Sequence, residues 1–257
     1  MDKSVAEKLL QLNHEFYQTF AIQFSDTRGR LQPGVTRILE AIDLSSRILD
    51  LGCGNGELAC ELERRGFRGQ YIGLDLSAGL LEKARSRVEE CSHNEAKNKF
   101  TFIHADLSQP GWTAKIQDFR PTLIVAFASL HHLPGRELHL QTLQAVRRLL
   151  ALEGKFIHSN WQFLNSERLR QRLHPWPEIG LTPEEVDPGD YLLDWRRGGF
   201  GLRYVHHFSE SELCKLAEET GFRVIESFYS DGESGDLGLY QTWEIGNISF
   251  GPQTPHP

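Results

Sequence analysis

At 257 residues, with 39% hydrophobic and 25% charged residues, the chain has the make-up of a soluble globular protein long enough for one large α/β domain. No apolar run reaches the length of a membrane span and the opening MDKSVAEKLL is not a signal peptide, so a cytoplasmic protein is expected. A net charge of −7 disfavours a general nucleic-acid binder, while Cys53, Cys60, Cys91 and Cys214 form no C-x-x-C pair, which argues against a disulfide framework or a cysteine zinc site and suits a reducing compartment.

Residues 1–42 read as a helical preface interrupted by SDTRGRLQPG. Beyond it, short β-branched runs alternate with helical stretches. Strands are expected at Arg47–Gly52, Gln70–Leu76, Phe100–Asp106, Leu123–Ser129 and Lys155–Ser159. Helices are expected at Glu57–Arg65, at Ala78–Cys91 with Leu81, Ala84 and Val88 on one face, and at Leu138–Leu150. This alternation predicts a mostly parallel sheet with helices on both faces. Arg223–Tyr229 and Leu239–Ile245 flank SDGESGDLG, a turn that makes them an antiparallel hairpin. Residues 161–208 fall outside the alternation and read as a long irregular insert rich in Arg, Pro, Trp and Gly, of the kind that carries function. A single domain accommodates all of this: a helical cap at 1–42, a core at 43–160, a substrate cap at 161–208, and a final helix and hairpin at 209–250. A polar tail, GPQTPHP, follows.

The stretch RILDLGCGNGELACEL, residues 47–62, turns from strand to helix through three glycines spaced G-x-G-x-G. A dinucleotide site spaces them G-x-G-x-x-G and rests a pyrophosphate on the helix N-terminus. Asp50 precedes the turn, and its carboxylate would repel a pyrophosphate. It suits instead a ligand with an ammonium group and no phosphate, which describes S-adenosylmethionine. Asp75 ends the second strand about 20 residues on, where an acid accepts ribose hydroxyls. Asp106 ends the third, placed to accept from an adenine amino group. Any one of these acids alone could be a helix N-cap. Together they line one sheet edge, where open α/β sheets bind ligands.

ILDLGCGNGELA, YIGLDLS, FIHADLS and IVAFASLHHL resemble the successive cofactor motifs of the class I S-adenosylmethionine-dependent methyltransferases, over about residues 45–160. The resemblance implies a Rossmann-like, seven-stranded, mostly parallel sheet with an antiparallel last strand, plus N-terminal helices and a cap insert. It also implies site residues: Asp50, Gly52 and Gly54 around the methionine end, Asp75 and Leu76 at the ribose, Asp106 and Leu107 at the adenine, and Phe127 behind the sulfonium. Outside the core, YQTFAIQFSDTR (17–28), DYLLDW (190–195), RYVHHF (203–208) and SELCKL resemble segments of the tRNA wobble-uridine carboxymethyl methyltransferases. Those enzymes esterify the carboxylate of 5-carboxymethyluridine, and eukaryotic members work with a small zinc-binding activator subunit. The chain departs from that family in lacking its later Asn–Trp pair, in having Leu31-Gln32-Pro33 where a W-P pair is found, and in placing Val205 at the second tyrosine. These departures bear on the substrate, not on the reaction class.

A carboxylate acceptor is already ionised at neutral pH, so it needs orientation and exclusion of water more than a general base. An arginine fork is the natural orienting group. Arg28 and Arg203, flanked by the cap aromatics Tyr17 and Tyr204, are the candidates, with Tyr17 also reaching the cofactor. Packing or a plain ion pair would equally account for them. His131 of the HH pair follows the fourth strand near the methyl group, as a positioning or proton-accepting imidazole. The packing alternative buries His132 under the next helix and leaves His131 partly exposed. Together with His206 and His207 the pair does not match a zinc site, so no metal is expected. ERLRQRLH (167–174) and WRRG (195–198) offer arginines near tryptophans to an unstacked base, although Leu169 and Leu173 also fit a solvated amphipathic helix. Three functions remain: tRNA carboxyl methylation, methylation of a small carboxylate or another O or N acceptor, and S-adenosylmethionine binding without catalysis.

Overall fold

The computed structural model describes residues 1–26, 29–91 and 99–246. Arg28 and the tail at 251–257 lie outside that set. The core is a seven-stranded sheet of β1 (Arg47–Leu51), β2 (Gln70–Asp75), β3 (Phe100–His104), β4 (Leu123–Phe127), β5 (Lys155–Trp161), β9 (Phe222–Ser230) and β10 (Gly238–Ile245). Their order is β3-β2-β1-β4-β5-β10-β9. β1 to β5 run parallel, whereas β10 is antiparallel to both neighbours. The sequence-predicted architecture is thus present, with strand limits differing by a few residues.

Strand alternation sorts the core into two layers. Leu49, Leu51, Ile124, Ala126 and Phe156 face α5 (Arg136–Leu149) and α7 (Glu210–Glu219). Ile48, Tyr71, Val125 and Ile157 face α2 (Pro33–Leu39), α3 (Glu57–Arg64) and α4 (Ala78–Cys91). Ser209 caps α7 by accepting from the Glu212 N–H. Among the described residues no helix is long and apolar enough to cross a membrane.

The insert is not irregular. β6 (Leu173–His174), β7 (Asp190–Trp195) and β8 (Gly201–His206) form a separate antiparallel sheet. Three strands were missed because proline and glycine punctuate them and β6 is two residues long. Of the two readings of 167–174, the amphipathic-helix alternative is corrected: α6 stops at Arg170 (Glu167–Arg170), and Leu173 pairs with Leu193. α1 (Lys3–Asp26) lies across this sheet. Val5, Leu9, Phe16 and Phe20 recur at helical spacing on its buried face and pack on Trp176, Leu192, Tyr204 and Trp195.

Cys60 of α3 and Cys91, the last residue of α4, form a disulfide with Cα atoms 5.8 Å apart. This overturns the expectation of no disulfide. The two cysteines are 31 residues apart in sequence, and only the packing of the two helices brings them together.

Candidate active site

The site is assembled at the carboxyl edge of the parallel strands. After β1 the chain makes a glycine turn in which Gly52, Gly54 and Gly56 all have positive φ (79°, 55° and 74°), a region that L side chains adopt at a cost. The N–H groups of Gly52 and Cys53 both donate to the Leu74 carbonyl, and that of Gly54 donates to Asp75 Oδ2 at 2.9 Å. The three glycines differ in their surroundings. A Cβ on Gly52 would strike Ser129, and one on Gly56 would meet Ala84 Cβ at 2.7 Å, whereas nothing lies within 4 Å of one on Gly54. Gly54 therefore borders the open side of the turn, a cradle that a side chain would fill. That is what close approach of a cofactor to the main chain requires.

Asp50 is buried beneath the turn and accepts the Tyr71 hydroxyl at 2.5 Å. Burial pushes its carboxyl up to about 7, the Tyr71 hydrogen bond opposes the rise, and the nearby Asp75 charge adds to it. Asp75 also accepts the Ser77 N–H at 2.8 Å. Burial raises its pKa against the lowering effect of the Ser77 and Gly54 N–H groups. Asp106 lies two residues beyond β3 and takes both the N–H and the hydroxyl of Ser108. Leu76, Asp106 and Ser108 share a cleft of about 170 Å³ with Glu7, Leu10 and His14 of α1. Leu107 turns the other way, onto the core beneath α5. Phe127 packs over Tyr240 at 6.3 Å on the opposite face.

The turn after β4 carries a strain signal that the sequence did not reveal. Ala128 has φ 53°, held by its N–H donating to the Ser159 carbonyl and hydroxyl. Positive φ at a non-glycine residue persists where the surroundings enforce it, commonly at functional sites. Ser129, next in the chain, abuts Gly52, so the β1 and β4 turns touch.

α1 closes the site from above. Tyr17 Oη is 2.8 Å from His132 Nε2. Asn13 donates to the carbonyls of His132 and Tyr204 and accepts the Tyr204 N–H. Asn55 of the glycine turn donates to Ser25 Oγ at 2.9 Å, and both residues are buried. Sequence reading missed Asn13, Ser25 and Asn55. Their partners lie 30 to 191 residues away, and short polar side chains in a helix or turn give no local signal of such contacts.

The histidine pair is the reverse of the packing alternative. His131 is buried, its Nδ1 3.3 Å from the Trp161 N–H, and His132 is the half-buried one facing Tyr17. His139, in the first turn of α5, is the histidine buried at this helix, where burial lowers it to about 3, aided by the neighbouring His206 charge. His206 loses affinity for its proton through burial, but hydrogen bonds to Asp190 and Glu212 more than restore it, to about 9. Among the described residues no cluster could hold a metal ion.

Arg203 and Tyr204 point to opposite faces of β8, as neighbours on a strand must. The Arg203 guanidinium carbon lies 5.0 Å from the Trp161 ring, 5.4 Å from Phe16 and 5.9 Å from Trp195. It is 6% exposed, beside the end of β5. Tyr204 is fully buried, and its hydroxyl donates to Asp190 inside the cap. It is accordingly a packing and anchoring residue, away from the cleft where the sequence expectation put it. Asp50, Gly52, Gly54 and Asp75 share the glycine turn, Leu76 and Asp106 the cleft under α1, and Tyr17, His131, His132 and Arg203 the opposite flank.

A profile of the methyltransferase domain family matches residues 24–227. The chain belongs to that family, and it is an S-adenosylmethionine-dependent methyltransferase. The tRNA (carboxymethyluridine(34)-5-O)-methyltransferase of Schizosaccharomyces pombe is 26% identical over 240 residues, covering 84% of this chain and 90% of that protein. The probable tRNA methyltransferase 9B of Bos taurus is 25% identical over 68% of this chain, but the match spans only 35% of that longer protein. The trans-aconitate 2-methyltransferase of Enterobacter sp. is 35% identical over 136 residues, 48% of this chain and 46% of its own length. Among solved structures, an S-adenosylmethionine-dependent methyltransferase from Methanosarcina mazei superposes with a TM-score of 0.64 at 20% identity, covering 84% of this chain and 99% of that one. The magnesium protoporphyrin IX methyltransferase of Synechocystis, solved with S-adenosylhomocysteine bound, gives 0.55 at 19% identity over 82% of this chain and 78% of that one.

Proposed function

We propose that this enzyme methylates a carboxylate oxygen, and that the carboxylate is that of a carboxymethyl-modified wobble uridine in tRNA. The observation that carries the reading is the Arg203 guanidinium, caged by Phe16, Trp161 and Trp195 beside the end of β5. A planar fork held by rings keeps its geometry and presents paired donors to a carboxylate. The acceptors named for the fission-yeast and Enterobacter relatives both carry carboxylates, which supports the acceptor class. Coverage of most of the chain by the fission-yeast relative supports tRNA as its carrier.

S-adenosylmethionine supplies an electrophilic methyl on a sulfonium. The acceptor carboxylate forms the new C–O bond as the C–S bond breaks, and no proton is released. The protein therefore need only hold, align and dry the reactants. Gly54 gives the cofactor access to the main chain, Gly52 lets the turn close on Ser129, and Asp50 beneath them carries charge opposite to its ammonium. Asp75 and Leu76 border the ribose and Asp106 the adenine, while Leu107 packs into the core behind it. Phe127 backs the sulfonium side, Tyr17 and His132 close the roof, and His131 braces the end of β5. Arg28, which lies outside the described residues, is taken from the sequence as a second orienting cation.

A small free carboxylate is the second reading, favoured by the 35% identity to the trans-aconitate enzyme and by the net charge of −7. Label transfer from methyl-labelled S-adenosylmethionine to tRNA containing carboxymethyluridine, in competition with a mixture of small carboxylates, separates the two. Label in tRNA released by mild base as methanol supports the first reading, and label confined to small molecules supports the second. The activator subunit implied by the resemblance is tested by the rise in rate on adding one.

A further inference from the structure

The tip of the β7–β8 hairpin, residues 196–200, reads RRGGF. Arg196, Arg197 and Phe200 are exposed there, and the Phe200 ring, 63% exposed, stands in sequence beside the two arginines. Arg172 is brought alongside by the Asp194 N–H, which donates to its carbonyl, and the Phe200 ring lies 5.8 Å from His174. Arg168 and Arg170 of α6, both exposed, lead into this strand. The acids nearby are Glu167, Glu178 and the buried Asp194, which pairs with Arg196 at 2.6 Å. Five arginines against three carboxylates make a local excess of positive charge on a chain whose total is −7.

The charge is also polarised along the cap. The acidic stretch Glu184, Glu185 and Asp187 precedes β7 and the arginines follow it, so the two lie at opposite ends of a strand of roughly 20 Å. The arginine end is the one next to the site. Gly198, Gly199 and Gly201 press against Gln23 and Phe20 of α1. Arg203 in its cage is only three residues from Phe200, about 10 Å along β8.

We infer that this hairpin tip, with α6, is the docking surface for the single-stranded RNA segment that flanks the acceptor nucleotide. The arginines take phosphates and Phe200 stacks an unpaired base, while the acceptor itself reaches Arg203. Glycines at the tip let the main chain approach the strand closely. The inference rests on the tRNA reading above. Cations with one exposed ring beside a buried carboxylate-orienting arginine fit a polynucleotide better than a free carboxylate, which has no use for contacts that far from the reacting atom.

The test uses the full chain and a synthetic anticodon stem-loop bearing 5-carboxymethyluridine. Affinity is read by fluorescence anisotropy across a salt series, alongside methyl transfer to the same RNA. Arg168→Glu/Arg197→Glu is expected to weaken RNA binding at least tenfold and to flatten the log–log salt slope by about 0.7 for each phosphate no longer neutralised. Phe200→Ala is expected to weaken binding roughly five- to hundredfold with the salt slope intact. Glu184→Lys/Glu185→Lys, at the far end of the sheet, should leave affinity unchanged, and all variants should bind S-adenosylmethionine as wild type does. Unchanged RNA affinity in the arginine and phenylalanine variants, with methylation intact, overturns the inference and leaves the tRNA reading standing. Lost activity with unchanged RNA affinity also overturns it and assigns the surface to a protein partner. Failure of the wild-type protein, with or without activator, to methylate the RNA overturns the reading and the inference together.

Discussion

Tyr17 Oη and His132 Nε2 lie 2.8 Å apart, joining the first helix to the segment after β4. This contact, with Asn13 and Asn55–Ser25, ties α1 to the glycine turn and to the segment after β4. Tyr17→Phe removes one hydrogen bond, worth about 1 kcal/mol. A fall of roughly fivefold in kcat/KM is expected, with little change in melting temperature. Steady-state kinetics with a thermal melt checks this; an unchanged kcat/KM removes Tyr17 from the site.

Gly54 and Gly56 should behave oppositely. Gly56→Ala drives a methyl into Ala84 at positive φ and is expected to destabilise the fold by ~2–3 kcal/mol. Gly54→Ala meets no protein atom within 4 Å of its Cβ, so beyond a backbone cost of about 1 kcal/mol for its positive φ its effect should fall on cofactor affinity, at least tenfold. Calorimetric titration with S-adenosylhomocysteine beside denaturant unfolding separates the two.

Cofactor binding should release a proton near neutral pH. Burial raises Asp50 to about 7, so the folded protein without cofactor holds a proton there that the unfolded chain, with its carboxyl near 4, has lost. This stabilisation is complete below about pH 4 and disappears as pH rises through about 7. A cationic ligand favours the ionised form, so affinity should climb between about pH 6 and pH 8 and then level off. Tyr71 holds the pKa down through its hydrogen bond, and Tyr71→Phe should move the climb to higher pH. Dissociation constants across that range are the measurement, and a flat profile contradicts the linkage.

Reducing the Cys60–Cys91 bond should destabilise the protein. Opening a cross-link across 31 residues frees unfolded-chain entropy equivalent to about 3–4 kcal/mol on the loop-closure account. The unfolding midpoint with and without dithiothreitol, and in Cys91→Ser, checks it. Equal midpoints would exclude a stabilising cross-link.

The sheet was legible in the sequence because each buried strand is a short β-branched run and each helix repeats its apolar residues at helical spacing. That the glycines and acids share one edge was legible for a related reason: they fall at strand ends, and strand ends lie together in a parallel sheet. The second sheet was hidden by its turns and by the two-residue β6. The disulfide and the Asn13, Ser25 and Asn55 contacts depend on chain segments that meet only after folding. Tyr204 shows the limit of a motif. It sits in the RYVHHF segment as the resemblance requires, yet strand alternation turns its hydroxyl to Asp190 and puts Arg203, not Tyr204, against Trp161 at the end of β5.

The central claim is carboxyl methylation of a modified uridine. Incubation of the protein with S-adenosylmethionine and tRNA containing 5-carboxymethyluridine, followed by nucleoside digestion and mass spectrometry, tests it most directly. The account predicts conversion of that nucleoside to a species one methyl heavier that mild base reverts, with the conversion strongly reduced in Arg203→Ala. A methyl group resistant to base, or found on another nucleoside, would contradict it.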